Sequence, residues 1–453
     1  MRVAVHGHMG RDEAMVDNFV AHGHTVDVIG GWENPGLVDK VAESGGRIAT
    51  IRSIDDVHGV SRFVDEVQPD MFITHFDDAL VAGVADAVNE RSPGVLLPIP
   101  NEQQARVEGD KHLPRAILRE IAPDLNPDSR EVTEASDVDA AIQYFADSKK
   151  PVAVKPREPT GGKGVKVQGK HFESHEEAAK YAHRVLETDG QTGVEIQERI
   201  DDPEFTLQIL TDGKTLVRPP VTYDYPYRED GDTGPGTGGM GTFSVRPGEN
   251  LPFTVDADID EAMDVTSRVL QHPELEGYKG VIYPTFFKTS DGIKLVEFNA
   301  RGGDPEFINV MDSLDPSVDM AEVYASIAQG ELGPNDIRFQ DVASTLLYLV
   351  APEYGYGKTG PYTFTLDTEI AKDLGVNVRF AAAERMEGNQ YQTVGTSRTV
   401  GLSALGSTPW EARAKIDTAI SESFGADLPL VSRNDVGNQD YINRTTQQRS
   451  PLS

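Results

Sequence analysis

The chain predicts an α/β protein in three parts: a parallel, doubly wound N-terminal domain, a central lysine- and glycine-bearing unit, and a small, strand-rich α+β domain at the C-terminus. Three observations predict it. Strand and helix patterns alternate over residues 1–104; a strand ending in Lys155 runs into a glycine-rich hairpin; and from about Asp336 the texture becomes strand-rich. The expected boundaries are 1–104, 105–335 (with a lid subdomain over about 125–197), 336–428, and a polar tail over 429–453.

In the first part, Val3-Ala-Val5 leads through the turn Gly7-His-Met-Gly10 into a helix from Asp12 to about His22. Thr25–Ile29, Arg47–Ile51 and Met71–Thr74 read as further strands, and Ser61–Val67 and Ala79–Glu90 as helices, a βαβ pattern that implies a parallel sheet. Gly7-x-x-Gly10 is too short for a dinucleotide fingerprint. It fits an anion-binding turn at a helix N-terminus as well as a plain β–α turn.

In the central unit, Lys150–Lys155 is a strand and Gly161-Gly-Lys-Gly164 follows it, so Lys155 and Lys163 stand near flexible backbone amides suited to phosphates. No Ser or Thr follows Lys163, which excludes a Walker A loop. Gly193–Ile200 is another strand, ending in carboxylates where a nucleotide's polar edges fit. Gly231–Gly241 is the most glycine-dense segment; it serves as a linker or, given Asp232, Thr233, Thr237 and Met240 within it, as a binding loop. The C-terminal part carries strand patterns over 343–350, 376–383 and 399–405 and a helix over 409–423.

The segment Lys294-Leu-Val-Glu-Phe-Asn-Ala-Arg-Gly-Gly-Asp-Pro-Glu306 is the most informative. Its apolar residues make a strand from which Glu297 and Asn299, two apart, project on one face. A carboxylate oxygen beside an amide oxygen suits a hard divalent cation that also holds phosphates. Arg301, Asp304 and Glu306 follow in a Gly-Gly turn; a hairpin with a solvated charged tip accounts for the same residues.

The chain has 453 residues, 38% of them hydrophobic, with no long apolar run and no cysteine, which excludes disulfides and thiol catalysis. A strand pattern starts at Met1, leaving no room for a signal peptide, and the whole fits a cytoplasmic enzyme. The net charge of −32, spread from end to end, argues against nucleic acid or anionic membrane as partners. Such self-repulsion calls for screening by salt, whose Debye length is about 3 Å at 1 M, and so points to a halophilic protein, with an ordinary acidic protein as the alternative.

Taken in order, the motifs resemble those of the phosphoribosylamine–glycine ligases of the ATP-grasp superfamily over essentially the whole chain. Gly7-His-Met-Gly-Arg-Asp-Glu-Ala14 resembles Gly-Asn-Gly-Gly-Arg-Glu-His-Ala, and Glu108-Gly-Asp-Lys111 resembles Glu-Gly-Ser-Lys. Val154–Val165 is similar to the family's Val-Lys-Ala-Asp-Gly-Leu-Ala-Ala-Gly-Lys-Gly-Val, and Gly231–Gly241 to Gly-Asp-Thr-Gly-Pro-Asn-Thr-Gly-Gly-Met-Gly. Glu297–Glu306 resembles Glu-Phe-Asn-Cys-Arg-Phe-Gly-Asp-Pro-Glu, and Ser432–Gly437 resembles Tyr-Arg-x-Asp-Ile-Gly.

The resemblance implies an ATP-grasp fold for the central unit and ATP with Mg²⁺ (or Mn²⁺) as cofactors. It implies small-molecule substrates, glycine and phosphoribosylamine, joined through an acyl phosphate in purine biosynthesis, by a monomer or homodimer. Lys111, Lys155, Lys163 and Gly164 are implied at the ATP phosphates, Glu198 and Glu204 at adenine and ribose, and Glu297 and Asn299 at the metal. Arg301 and Asp304 are implied in catalysis; Gly10, Arg11, Glu13, Asp77, Asp224, Asp232, Thr233, Thr237, Gly238, Gly239, Met240 and Arg301 are implied at the substrates. The chain departs from the pattern at His8 and Met9, at His75-Phe-Asp77 in place of Gly-Pro-Glu, at Asp224-Tyr-Pro-Tyr-Arg228 in place of Asp-His-Lys-Arg, and at Gly236 and Gly302. The ATP and metal elements are thus kept better than the amine-contacting ones. A same-mechanism ligase for another acid–amine pair is the alternative, and a non-catalytic nucleotide-binding homologue a lesser one.

Overall fold

A computed structural model describes residues 1–158 and 164–443. The N-terminal sheet is wholly parallel, in the order Ile48–Thr50, Thr25–Gly30, Arg2–His6, Met71–Thr74. Val3, Ala4 and Val5 are fully buried, as a strand covered on both faces requires. The order reverses between Arg2–His6 and Met71–Thr74, and the turns after these two strands, at Gly7–Gly10 and His75–Asp77, flank that switch point. The helix expected over 79–90 is two helices, Asp77–Val81 and Val84–Arg91, because Gly83 takes φ +82° and stops the first.

The segment expected as a lid forms a separate four-stranded antiparallel sheet, ordered Ser129–Val132, Val194–Glu198, Val152–Pro156, Lys166–Val167. Helices Val138–Asp147 and His175–Leu186 pack on it around a core of its own that includes Val138, Phe145, Val152, Val154 and Ile196.

The largest sheet holds the middle of the molecule together. Its antiparallel strands include Gly280–Thr289, Glu204–Thr206, Thr222–Asp224 and Gly241–Ser244, with Gly292–Asn299 paired to Gly280–Thr289. It does not end at the expected boundary near 336. Gly241–Ser244 pairs with Ala343–Leu349, which pairs with Val400–Gly406 and then Val376–Phe380. The C-terminal strands therefore extend the central sheet, and Pro409–Ser423, capped by Thr408, covers that extension.

The expectation of a polar tail from 429 is corrected over 429–443. Leu430, Val436 and Ile442 are buried in the same core as the central sheet, and the Arg433 side chain is fully buried. Residues 444–453 of that tail lie outside the described residues.

Candidate active site

Glu297 and Asn299 do share a face, and a bulge decides which. Along the ladder Thr285 faces Glu297 while Phe286 faces Leu295, so Val296 is an extra residue. Ile293 and Leu295 are in the core, and strict alternation would bury Glu297 with them. The bulge shifts the register, Phe298 takes the core position, and Glu297 is exposed. Asn299 Nδ2 lies 3.5 Å from Glu297 Oε1 and 3.5 Å from the Tyr283 carbonyl, so Oδ1 is the amide atom left for a cation. A carboxylate and an amide oxygen fit a hard divalent ion whose other ligands are phosphate and water. Among the described residues no group of three or more acidic or histidine side chains forms a metal site.

Lys155, on the lid strand Val152–Pro156, points to the same place. Burial pulls its ammonium pKa down; Glu195 and Glu297 oppose this, while Arg115 and Lys111 add to it. Its Nζ donates to Gln197 Oε1 at 2.9 Å. Lys111, Lys155 and Glu297 are thus brought near one another, from a helix start, the sheet of Val152–Pro156 and the central sheet. Lys163 lies outside the described residues; the Gly164 carbonyl accepts from the Tyr181 hydroxyl at 2.6 Å. Glu198 is not left open for a nucleotide: its carboxylate accepts from the Asp128 amide at 2.9 Å and pairs with Lys150 at 2.7 Å. Glu204 opens the strand Glu204–Thr206, and its charge helps to raise the Asp224 pKa.

The turn after the strand Gly292–Asn299 gathers the remaining charges. Arg301 pairs with Glu108 at 3.1 Å, and Glu108 also accepts from the Ala300 amide at 2.8 Å. Burial pushes Glu108 up to about 7; Arg301 opposes the shift and Asp77 adds to it, which places Asp77 in this cluster. Asp304 accepts from the Tyr348 hydroxyl at 2.6 Å and lies 3.4 Å from both the Arg11 amide and Arg398 Nη2. Burial favours its neutral form, but Arg398 and Arg11 prevail and hold it below the usual carboxylate range. Asp224 behaves oppositely: burial, then the facing Glu306, raise it well above that range. Glu306 accepts from the Tyr283 hydroxyl at 2.9 Å. Gly239, at φ +98°, closes over this pair; a Cβ there would sit 2.6 Å from Pro305 Cδ and 2.9 Å from Asp224 Oδ1.

Several residues expected at the substrates are spent inside the protein. The turn amides of His8 and Met9 both donate to Asp12 Oδ2 at 2.9 Å, so this turn does not offer them to an anion. Gly10 is needed because a Cβ would lie 2.7 Å from the Tyr348 hydroxyl. Arg11 donates to the Gly302 carbonyl at 2.9 Å, and buried Glu13 accepts from the Phe380 amide at 2.8 Å. Asp232 is paired with Arg433 at 3.0 Å. Thr233 and Thr237 bond to the Asp230 and Pro226 carbonyls, at 3.0 and 2.9 Å. In the loop itself, the Gly238 amide donates to the Tyr354 hydroxyl, the Gly239 amide to Thr237 Oγ1, and the Met240 amide to the Tyr225 carbonyl. The segment is neither a flexible linker nor an open amide cradle; it is a braced hairpin. Sequence reasoning missed Arg398, which donates to the Gly238 and Asp304 carbonyls, and Tyr348; neither stands in a motif that was singled out.

Residues 115–307 match a family profile described as phosphoribosylglycinamide synthetase, ATP-grasp (A) domain. Over 447 residues, 98% of this chain, the sequence is 31% identical to the phosphoribosylamine–glycine ligase of Pyrococcus horikoshii and covers 96% of it. The chain belongs to the phosphoribosylamine–glycine ligase family. The enzyme of that name from Methanothermobacter thermautotrophicus is also 31% identical, with both chains covered in full. Among solved structures, the phosphoribosylamine–glycine ligase of Thermotoga maritima superposes with TM-score 0.76 at 21% identity, over 96% of this chain and 100% of that one. A biotin carboxylase–beta-gamma-ATP complex from Campylobacter jejuni superposes with TM-score 0.72 at 12% identity, over 98% and 96%, a likeness of fold.

Proposed function

We propose that this family member joins glycine to phosphoribosylamine at the expense of ATP. The observation that carries the reading is the convergence of Lys111, Lys155, Glu297, Asn299 and the Arg301 turn on one cleft. A carboxylate resists an amine because its leaving group would be oxide; phosphorylation by ATP supplies a better one. The protein's part is to position reactants, neutralise phosphate charge and keep water from the acyl phosphate. Lys155 and Lys111 supply charge at the phosphates, and Glu297 with Asn299 would hold Mg²⁺, which offsets the charge developing on phosphate oxygens. Arg301, whose cationic form Glu108 favours, would add positive charge at the same site.

The departures near the amine side are compatible with this substrate pair. His75 and Gly302, each a departure, meet one another: the Gly302 amide donates to His75 Nδ1 at 2.9 Å. Tyr225 is fully buried, and Arg228 is turned to the Tyr354 carbonyl at 3.1 Å. These exchanges are absorbed in packing.

The test is phosphate release from ATP in molar KCl, with glycine and phosphoribosylamine against a panel of other acids and amines. Turnover dependent on both named substrates is expected; faster turnover with another pair overturns the assignment. The net charge of −32 further supports a salt-requiring protein, so unfolding on dialysis into dilute buffer is expected. Undiminished stability there refutes that part.

A further inference from the structure

Arg115 lies on the helix His112–Ile121, outside the residues so far assigned a role, and its side chain is 2% exposed. Its guanidinium spends donors on two separate parts of the site. On the lid strand, Nε donates to Glu195 Oε1 and Nη2 to Gln197 Oε1, both at 3.1 Å. On the metal-bearing strand, Nη1 donates to the Leu295 carbonyl at 2.8 Å and Nη2 to the Val296 carbonyl at 2.7 Å. Successive carbonyls of a regular strand point to opposite edges, so one planar fork reaches both only where the strand is bulged. Val296 is that bulge residue.

We propose that Arg115 is a positioning residue that fixes the Val296 bulge, and so turns Glu297 and Asn299 from the core toward the cleft in register with Lys155. The link to Lys155 is direct, because Gln197 Oε1 accepts from both Arg115 and Lys155 Nζ. A lysine cannot replace the fork: its ammonium is a point charge and does not span two carbonyls and two side-chain oxygens in one plane. Loss of the fork frees the bulge to relax toward regular alternation, which would carry Glu297 to the face of Ile293 and Leu295.

The inference rests on the ligase reading only for Glu297 and Asn299 as the metal pair. It is tested by Mn²⁺ binding in the presence of ATP, read by electron paramagnetic resonance without glycine or amine. Failure here therefore leaves the choice of substrates standing, and a different substrate pair leaves this inference standing. In Arg115→Lys the Mn²⁺ dissociation constant is expected to rise about 10- to 100-fold, the usual effect of removing a group that orients metal ligands. KM for the metal–ATP complex should rise with it. A merely structural role would lower the melting temperature and leave the Mn²⁺ constant of the folded protein unchanged. Arg115→Gln combined with Glu195→Gln, which removes the buried carboxylate together with its partner, is made alongside so that a folded variant is available, with a shift of the same sign expected. Wild-type Mn²⁺ affinity in either folded variant overturns the proposal.

Discussion

The proposed nucleotide half of the site and the proposed amine half are built on opposite plans. On the proposed nucleotide side the bracing is done by groups other than the working ones: Glu297 is exposed, while Arg115 and Gln197 behind it are buried. On the amine side the expected groups are themselves the bracing. Asp12 fills the Gly7–Gly10 turn, Asp232 is held by Arg433, and the Gly238, Gly239 and Met240 amides all have internal partners. The difference teaches that a motif shared with a family marks either a contact or a support. Only the partners of its polar atoms tell which.

The comparison can be broken most forcefully at Arg433. It is fully buried and bonds to Asp435, Asp232 and the Tyr227 carbonyl. Arg433→Ala strands two carboxylates, so a loss of about 3–5 kcal/mol of stability is expected, read from urea midpoints in molar KCl. A protein that keeps its midpoint but loses turnover would move Asp232 from support to contact. Glu297→Ala should show the converse. Among the described residues its carboxylate is hydrogen-bonded by the Asn299 amide alone, at 3.5 Å, so the midpoint should hold while turnover falls about 10²–10³-fold. Arg301 mixes the two plans, since removing it also leaves buried Glu108 unpaired.

A third effect depends on pH. Burial raises Glu13 from its ordinary 4.5 to about 8, with Arg379 opposing, so the folded protein binds this proton more tightly than the unfolded chain does. The stabilisation is complete below pH 4.5 and is lost as pH rises toward 8, at no more than about 1.4 kcal/mol per pH unit. Asp12 and Glu108, raised by burial to about 6 and about 7, add to the same slope. Urea midpoints between pH 5.5 and 8.5 should therefore decline, and less steeply in Glu13→Gln, which can still accept from the Phe380 amide. An unchanged slope in that variant would remove Glu13 from the account. The smallest expected effect is at Lys170, whose ammonium lies 4.3 Å from the Tyr227 ring and joins the lid side to the glycine hairpin. Lys170→Ala should weaken ATP binding by about 0.5–1 kcal/mol, a two- to fivefold rise in KM.

Much of this was legible in the sequence, and the limits have physical causes. The parallel N-terminal sheet followed from strand–helix alternation, and the shared face of Glu297 and Asn299 from their spacing. Which face it would be was hidden, because Ile293, Leu295 and Glu297 look like one alternating series and the bulge leaves no mark in residue type. The occupant of the Gly7–Gly10 turn was within reach: Asp12 sits in the first helical turn, where a carboxylate readily accepts from amides just before it. The packing of 429–443 was not, since Leu430, Val436 and Ile442 are too widely spaced to form a period. Arg115 had no signal, because all four of its bonds cross from one element to another.

The ladder between Gly241–Ser244 and Ala343–Leu349 bears on how this molecule could be taken apart. A truncation at residue 335 would not release a finished catalytic unit. It would uncover the unpaired N–H and C=O groups of Gly241–Ser244, four residues that are wholly buried in the intact chain, as a raw sheet edge. Such an edge invites association with another chain. The C-terminal strands thus act as a built-in edge cover, and a shortened protein is expected to aggregate where the full chain stays dispersed.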